Sequence, residues 1–187
     1  PAFGLKIGSG HGKYGIIDNS FRTRQHPIKG QLYPIPGTSV KGRIRSTYRK
    51  YSHLLPDDAK KIEERIFGTE KEIGWAHFSD LVPNSDCNLS ISTNTSIDRF
   101  RKAAKQSTLR VEEYLQLTKD GYFSGTVEGF LPKNIEEEND LVYLLFAILA
   151  TTHFGADKTS GYGKGETKIE KVVIDNKVKD FGDIKQF

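Results

Sequence analysis

The spacing of hydrophobic positions predicts a strand, an irregular segment and two helices in the first part of the chain. Residues 3–7 alternate as a strand does and lead into a run of glycines, after which a long segment rich in proline and glycine follows. A helix is predicted to begin near Thr38 or Ser39, because either hydroxyl can cap its amino end. A second helix is predicted to open at Pro56 and to end at Gly68.

From residue 73 onward the hydrophobic period becomes two, which indicates strands. The predicted strands are residues 75–78, 88–92, 122–131 and 167–174. A polar, basic stretch at 99–107, flanked by the extended residues 109–117, predicts a long hairpin or protruding loop. Residues 136–154 are the clearest helix, apolar almost all round and followed by Gly155, and therefore predicted to be buried.

The order of these elements predicts an α+β fold of the ferredoxin-like type, with an antiparallel sheet and helices on one of its faces. The 187 residues suit a single domain, and 36% hydrophobic with 28% charged residues is typical of a soluble globular protein. The most apolar stretch, residues 141–150, is too short to span a membrane. Because the chain contains no methionine, we expect residues to precede Pro1.

A single cysteine, Cys87, excludes a disulfide within the chain and argues against a cysteine-based zinc site. We therefore expect a cytoplasmic protein. The net charge of +4 is modest, but it is unevenly distributed: ten lysine and arginine residues stand among residues 1–56 against one acid, Asp18. A second basic cluster falls within residues 99–110. Segregated positive charge of this kind favours a nucleic-acid-binding protein.

Two glycine-rich segments and one helix start could bind phosphate. The glycines at 8–12 do not form a nucleotide-binding P-loop, because Ile7 stands where its first glycine is required and Tyr14 replaces the metal-binding Ser or Thr. The amides of that turn still suit a phosphate. Residues 155–165 contain four glycines, which let the backbone approach a phosphate or another backbone, with Tyr162 and Lys164 adding a ring and a charge.

Residues 34–45 carry the stronger phosphate-binding pattern. Two prolines and a glycine precede hydroxyls and free amides at a helix start, where phosphate oxygens bind without regard to base identity. Gly42 lies inside the first turns, where glycine costs about 1 kcal/mol and often marks the approach of a ligand. The residues that we expect to contact RNA are Lys13, Gly37, Thr38, Ser39, Lys41, Arg43, Arg45, Arg49, Arg99, Arg101, Lys158, Tyr162 and Lys164.

These segments together resemble the RAMP superfamily of CRISPR proteins. The stretch Pro-Gly-Thr-Ser-Val-Lys-Gly-Arg-Ile-Arg at 36–45 is similar to the family's helix start, and residues 155–165 are similar to its carboxy-terminal glycine-rich loop. Gly-Ile-Ile-Asp-Asn at 15–19 resembles the loop that carries the catalytic aspartate in backbone subunits of type III effector complexes. Residues 66–69 and 94–99 follow the same subunits' order and spacing.

The resemblance implies a modified ferredoxin-like palm with a thumb-like hairpin inserted at roughly residues 92–115. It also implies that copies of the subunit line a guide RNA and cut a complementary target RNA at regular intervals, each through its aspartate loop. Such proteins cut with a divalent metal, Mg²⁺ or Mn²⁺, bound together with RNA. The implied partners are guide and target RNA, further copies of the chain, a large polymerase-like subunit, a small helical subunit and related RAMP subunits.

Asp18 is the candidate catalytic residue and the candidate metal ligand. An aspartate there can hold a metal ion or orient the 2′-hydroxyl of RNA for in-line attack. A structural ion pair is the alternative role for a lone acid among cations. His11 and His26 flank the same region and are interpreted as surface or RNA-contacting residues.

Two other functions remain open from the sequence. The same architecture serves in non-cutting subunits that bind guide RNA or cap the complex, and these would bind RNA with an inert Asp18. A guide-processing ribonuclease of the superfamily would cut without metal, but it would need a histidine or tyrosine in place of Asp18, and the aspartate loop fits the backbone subunits better.

Overall fold

The computed structural model describes residues 4–28, 30–54, 58–118, 120–130, 135–175 and 177–179. These residues contain three α-helices, α1 Gly37–Tyr51, α2 Ala59–Phe67 and α3 Ile135–Leu149, with short 3₁₀ turns at Ser52–Leu54 and Lys158–Ser160. The described strands are β1 Arg24–His26, β2 Gly30–Leu32, β3 His77–Phe78, β4 Val82–Pro83, β5 Cys87–Asn94, β6 Ile97–Asp98, β7 Ala103–Ala104, β8 Arg110–Leu117, β9 Phe123–Ser124, β10 Val127–Glu128, β11 Val172–Ile174 and β12 Lys177–Lys179. The mixed α/β composition and the antiparallel pairing that the sequence predicts are confirmed.

The chain divides into two compact units, of which the first comprises residues 1–36, 80–125 and 154–164. Its main element is the antiparallel ladder of β5 and β8, which runs from Cys87 opposite Leu117 to Asn94 opposite Arg110. Beyond that end, the short strands β6 and β7 form a second hairpin at the tip. Leu5 pairs with Leu115 through two backbone hydrogen bonds of 2.8 Å, so the amino-terminal segment joins the other side of β8.

The second unit comprises residues 37–79, 126–153 and 165–187 and is built on the three helices. Their apolar faces meet around Tyr48 and Ile66, which are almost completely buried. The Tyr48 hydroxyl donates to the Ala59 carbonyl (2.9 Å), so this buried polar group is satisfied. Arg65 forms a two-pronged pair with the fully buried carboxylate of Asp140, at 2.7 and 2.8 Å. This pair fixes α2 against α3.

Several boundaries agree with the sequence pattern. Helix α1 begins at Gly37, one residue before the predicted start. Helix α2 ends at Phe67, and the next residue is the predicted stop, Gly68, whose positive φ of 81° is a conformation that glycine adopts without strain. The predicted strand at 88–92 lies inside β5. The predicted positions Phe3, Pro56 and Leu131 lie outside the described residues.

Other boundaries differ from the prediction. Helix α3 ends at Leu149 rather than at 154, because Thr151 donates its N–H to Ile148 (3.1 Å) and its hydroxyl to Ala147 (2.7 Å) in place of the helical pattern. The predicted strand at 122–131 is two short strands, β9 and β10, which pair with different partners. The predicted strands at 75–78 and 167–174 shrink to 77–78 and 172–174.

The described strands form six separate two-stranded ladders, and single bridges such as Gly8 to Phe21 and Ile35 to Leu81 add further pairing. Segments rich in glycine and proline pair one residue at a time because they do not keep a continuous pleat. A single ferredoxin-like sheet therefore stays a prediction. Among the described residues, no helix has the length and apolar character needed to cross a membrane.

Candidate nucleic-acid interface

The loop that carries Asp18 is attached to β8 through the aspartate itself. The Asp18 N–H donates to the Val111 carbonyl (2.8 Å), and the Val111 N–H donates to Oδ2 of Asp18 (2.7 Å). The residue is otherwise exposed, and its second oxygen, Oδ1, accepts no hydrogen bond from the described residues. One carboxylate oxygen is thus oriented by the protein while the other remains available to a ligand.

A tight turn precedes Asp18 and projects from the first unit. Lys13 and Ile17 exchange backbone hydrogen bonds of 2.9 and 3.1 Å across it. Tyr14 and Gly15 at the tip both have left-handed φ values, 57° and 66°. Such a value is uncommon for a bulky residue and often marks a functional loop. The Tyr14 ring is 90% exposed.

Two acids of β8 accompany this loop, although Asp18 is the lone acid among residues 1–56. The Glu113 carboxylate accepts the Phe21 N–H (2.8 Å) and contacts the Lys13 ammonium (3.3 Å). The Glu112 carboxylate pairs with Lys6 (2.9 Å). The sequence does contain a signal for these two residues, because Glu112 and Glu113 are adjacent acids within a predicted extended segment. Neighbouring strand residues point to opposite faces of a strand, so each carboxylate needs its own partner where it is shielded from water.

Lys6 is only 4% exposed, and its side chain connects the amino-terminal segment to β8 and to the glycine-rich loop. Its ammonium group contacts Glu112 and, at 2.8 Å, Asp157 of the glycine-rich loop, and it lies 4.3 Å from the centre of the Tyr162 ring. Burial alone would lower the pKa of Lys6, but its hydrogen bonds to Asp157 and Glu112 outweigh burial and raise that pKa. The cation is therefore held charged inside the unit.

The glycine-rich loop approaches the backbone of its own chain, which is one of the two uses that its glycines predict. Gly155 and Gly163 have φ values of 79° and 67°, and a Cβ on them would clash with the carbonyls of Lys6 and Phe154. The Tyr162 ring is half-buried, stands 5.5 Å from the Tyr114 ring and donates its hydroxyl to Ser92 (3.3 Å). The other predicted RNA contacts of this loop, Lys158 and Lys164, are exposed.

The amino end of α1, in the second unit, presents exposed hydroxyls on Thr38 and Ser39. Gly37 is buried there, and a Cβ at this position would clash with the Phe78 carbonyl. By contrast, a Cβ on Gly42 would meet no atom of the other described residues within 4 Å outside the helix's own backbone, so packing against those residues does not explain this glycine. Lys41 lines a shallow cavity of about 230 Å³ next to Thr69 and Lys71.

The arginines of α1 are engaged within the second unit. Arg43 donates from Nε to the His153 carbonyl (2.8 Å), while Arg45 and Arg49 both hold the Glu63 carboxylate, at 2.5 and 2.7 Å. Burial would raise the pKa of Glu63, but the hydrogen bonds from Arg49 and Arg45 outweigh it and lower that pKa. Part of the predicted basic face of α1 is thus used to connect α1 to α2.

The hairpin tip beyond β5 and β8 is basic and exposed. The Asp98 carboxylate accepts the N–H groups of Phe100 (2.9 Å) and Arg101 (3.0 Å), which shapes the turn between β6 and β7. Phe100 is fully exposed beside Arg99 and Arg101, two predicted RNA contacts. The exposed cations and ring suit a nucleic acid, with its phosphates and stacked bases.

Within the part of the chain that the structure describes, no three His, Cys, Asp or Glu side chains come together as a metal-binding group. Magnesium needs fewer protein ligands, because it keeps several waters and binds through one or two carboxylates and substrate phosphates. The exposed carboxylate of Asp18 fits a metal ion held in this way. His11 is exposed on the same loop, and His26 accepts the Ile28 N–H at Nδ1 (3.2 Å).

Comparisons with known proteins point to one family. A family model described as the RAMP superfamily matches residues 5–166. A chain in the cryo-EM structure of the type III-B Cmr-β complex bound to cognate target RNA is similar, with a TM-score of 0.61 and 15% identity over 89% of this chain and 93% of that chain. A chain of the apo Cmr-β structure gives a TM-score of 0.59 with the same identity and coverage. At this identity the likeness concerns the fold, and no curated protein sequence matches the chain.

Proposed function

Because the chain belongs to the RAMP superfamily, we propose that it is a repeated backbone subunit of a type III CRISPR ribonucleoprotein. In this role it binds guide RNA and cleaves the complementary target RNA at Asp18. The observation that carries the proposal is the attachment of Asp18 to Val111, where β8 leaves the hairpin tip. An exposed carboxylate is thereby held beside an exposed basic hairpin although the two are 93 residues apart in the chain.

Binding of RNA is proposed to depend on phosphate contacts in both units. In the first unit these contacts would come from exposed cations of the hairpin tip and of the glycine-rich loop. In the second unit the start of α1 offers hydroxyls, backbone amides and Lys41. Contacts of these kinds position a nucleic acid without reading its bases, so we expect weak sequence preference and a steep dependence on salt.

Asp18 is proposed to act on the 2′-hydroxyl next to the scissile phosphate. The carboxylate would orient this hydroxyl and accept its proton while the 2′-oxygen attacks phosphorus in line and the bond to the 5′-oxygen breaks. Water returns a proton to the leaving oxygen, which leaves a 2′,3′-cyclic phosphate and a 5′-hydroxyl. In the alternative role for the same oxygen, Asp18 and phosphate oxygens would hold a Mg²⁺ or Mn²⁺ ion, which would neutralise the charge that develops on the phosphate.

The partners follow from the same proposal. The likeness to a chain of a complex bound to target RNA supports guide and target RNA as ligands. Further copies of the chain, a large polymerase-like subunit, a small helical subunit and related RAMP subunits would complete the particle. The chain would form a modified ferredoxin-like palm, with roughly residues 92–115 of the hairpin that β5 and β8 begin and end as its thumb.

The test is cleavage of a matched target RNA by the complex assembled with guide RNA and magnesium. We expect regularly spaced products with wild-type protein, none with Asp18→Ala, and unchanged target affinity for both. Asp86→Ala is the control, since Asp86 is an exposed acid of the same unit. If the complex with Asp18→Ala cleaved target RNA as fast as the wild-type complex, Asp18 would not be the catalytic residue. If the wild-type complex bound target RNA without cutting it, the chain would be a non-cutting guide-binding or capping subunit.

A further inference from the structure

Glu113 connects the two sides of the loop that carries Asp18. Its Oε2 accepts the Phe21 N–H at 2.8 Å and lies 3.3 Å from the Lys13 ammonium. Its backbone N–H donates to the Asn19 carbonyl at 3.0 Å. These partners stand before and after Asp18 in the chain, so one residue of β8 holds the loop at three points.

The burial of these groups distinguishes this arrangement from an ordinary surface ion pair. The Glu113 side chain is 10% exposed, and Phe21 is 1% exposed. The contact with Lys13, which keeps 35% of its side-chain exposure, would contribute little by itself. A buried carboxylate that accepts a backbone N–H instead fixes the path of the chain, because that N–H would lose its acceptor if the loop moved.

We propose that Glu113 is a positioning residue for RNA cleavage, which holds the Asp18 loop in register with β8 without touching RNA. This inference rests on the proposed cleavage by Asp18. Val111, two residues before Glu113 in β8, orients the aspartate directly, while Glu113 sets where the loop lies on the strand. Catalysis is sensitive to such placement, since an error of about 1 Å can cost a hundredfold in rate.

The first measurement tests the clamp alone and needs no RNA. Hydrogen exchange of the Phe21 amide is followed in the full chain for wild type, Glu113→Ala and Glu113→Gln, with the exposed Glu170→Ala as control. We expect Glu113→Ala to accelerate this exchange by about tenfold or more, the factor for losing one hydrogen bond to a charged group. Glu113→Gln keeps an oxygen that can accept the N–H and should retain most of the protection.

The second measurement separates positioning from a general loss of structure. Single-turnover cleavage at saturating target and the target Kd are measured for complexes containing each variant. We expect Glu113→Ala to lower the cleavage rate by about tenfold or more at unchanged Kd, and Glu113→Gln to recover much of that rate. Glu170→Ala should match wild type in both measurements.

Two results would overturn the inference. Unchanged exchange of Phe21 in Glu113→Ala would show that the carboxylate does not hold the loop. Faster exchange together with a wild-type cleavage rate would show that loop position does not matter for the chemistry. A wild-type complex that fails to cut would instead contradict the proposed function, while the exchange data would still decide whether Glu113 clamps the loop.

Discussion

Replacing Lys6 by methionine removes one ammonium group from the interior of the first unit at nearly constant side-chain length. Lys6 keeps 5% of its side-chain exposure, whereas its partners Glu112 and Asp157 keep 22% and 43%. The substitution leaves two carboxylates near an apolar side chain with no cation between them. It also removes the contact of the ammonium group with the Tyr162 ring.

The size of the effect follows from this burial. Removing one partner of a fully buried ion pair costs about 3–5 kcal/mol. Because both carboxylates retain contact with water, we expect the free energy of unfolding to fall by about 2–3 kcal/mol. The raised pKa of Lys6 implies that its contribution is complete below its ordinary value of 10.5 and is lost as pH rises through the folded-state pKa. The difference between wild type and variant should therefore narrow in strongly alkaline solution.

Urea unfolding at neutral pH measures this difference, with Lys168→Met as a control because Lys168 is exposed. The double variant Lys6→Met with Glu112→Gln should lose less than the sum of the single variants, since the second change removes a carboxylate that the first leaves unpaired. A loss below about 1 kcal/mol for Lys6→Met, or strict additivity with Glu112→Gln, would refute the view of Lys6 as a buried junction.

Three further predictions concern other parts of the chain. Glu63→Gln should flatten the pH dependence of the free energy of unfolding, because the lowered pKa of Glu63 implies stability that is present above its ordinary value of 4.5 and is lost as pH falls through the folded-state pKa. Urea unfolding at a series of acidic pH values tests this, and equal pH profiles for wild type and variant would contradict it. Gly163→Ala should lower the free energy of unfolding by about 2–4 kcal/mol, because φ is +67° and a Cβ would clash with the Phe154 carbonyl. Gly165→Ala is the control, since a Cβ there would meet no atom of the described residues within 4 Å, and similar losses for both variants in thermal unfolding would argue against the close approach. Lys41→Ala should weaken binding of two RNAs of unrelated sequence equally and should reduce the slope of log binding constant against log salt concentration by about 0.7–0.9. Lys60→Ala is the control because Lys60 is exposed, and a loss of affinity for only one of the two RNAs would contradict recognition of the RNA backbone.

The local patterns predicted the helices and β5, one of the two longest described strands, because each carries its own signals. The hydroxyls of Thr38 and Ser39 mark the start of α1 to within two residues, Gly68 marks the end of α2, and the alternation at 88–92 marks a strand. The end of α3 could not be predicted from the sequence in this way. The Thr151 hydroxyl is hydrogen-bonded to the Ala147 carbonyl and also to the Thr47 hydroxyl (3.0 Å), and Thr47 belongs to another helix that is brought close only in the folded protein.

The candidate site was predicted in part for a similar reason. Asp18 is visible as an acid among cations, but its attachment to Val111 joins positions 93 residues apart. Alternation with Leu5 and Ile7 places Lys6 on the opposite, solvent-facing side of a strand, yet Asp157 and Tyr162 cover it. Long-range partners of this kind decide whether a charged residue faces water, and spacing along the chain does not encode them.

Complexes assembled from mixtures of wild-type and Asp18→Ala protein test the central claim most directly. If every copy of the chain cuts at its own position through Asp18, the spacing of target-RNA products stays constant and the initial cleavage rate at each position falls in proportion to the fraction of variant protein. If another subunit performs the chemistry, the initial rate at each position is the same at every mixing ratio, and that result would contradict cleavage by this chain.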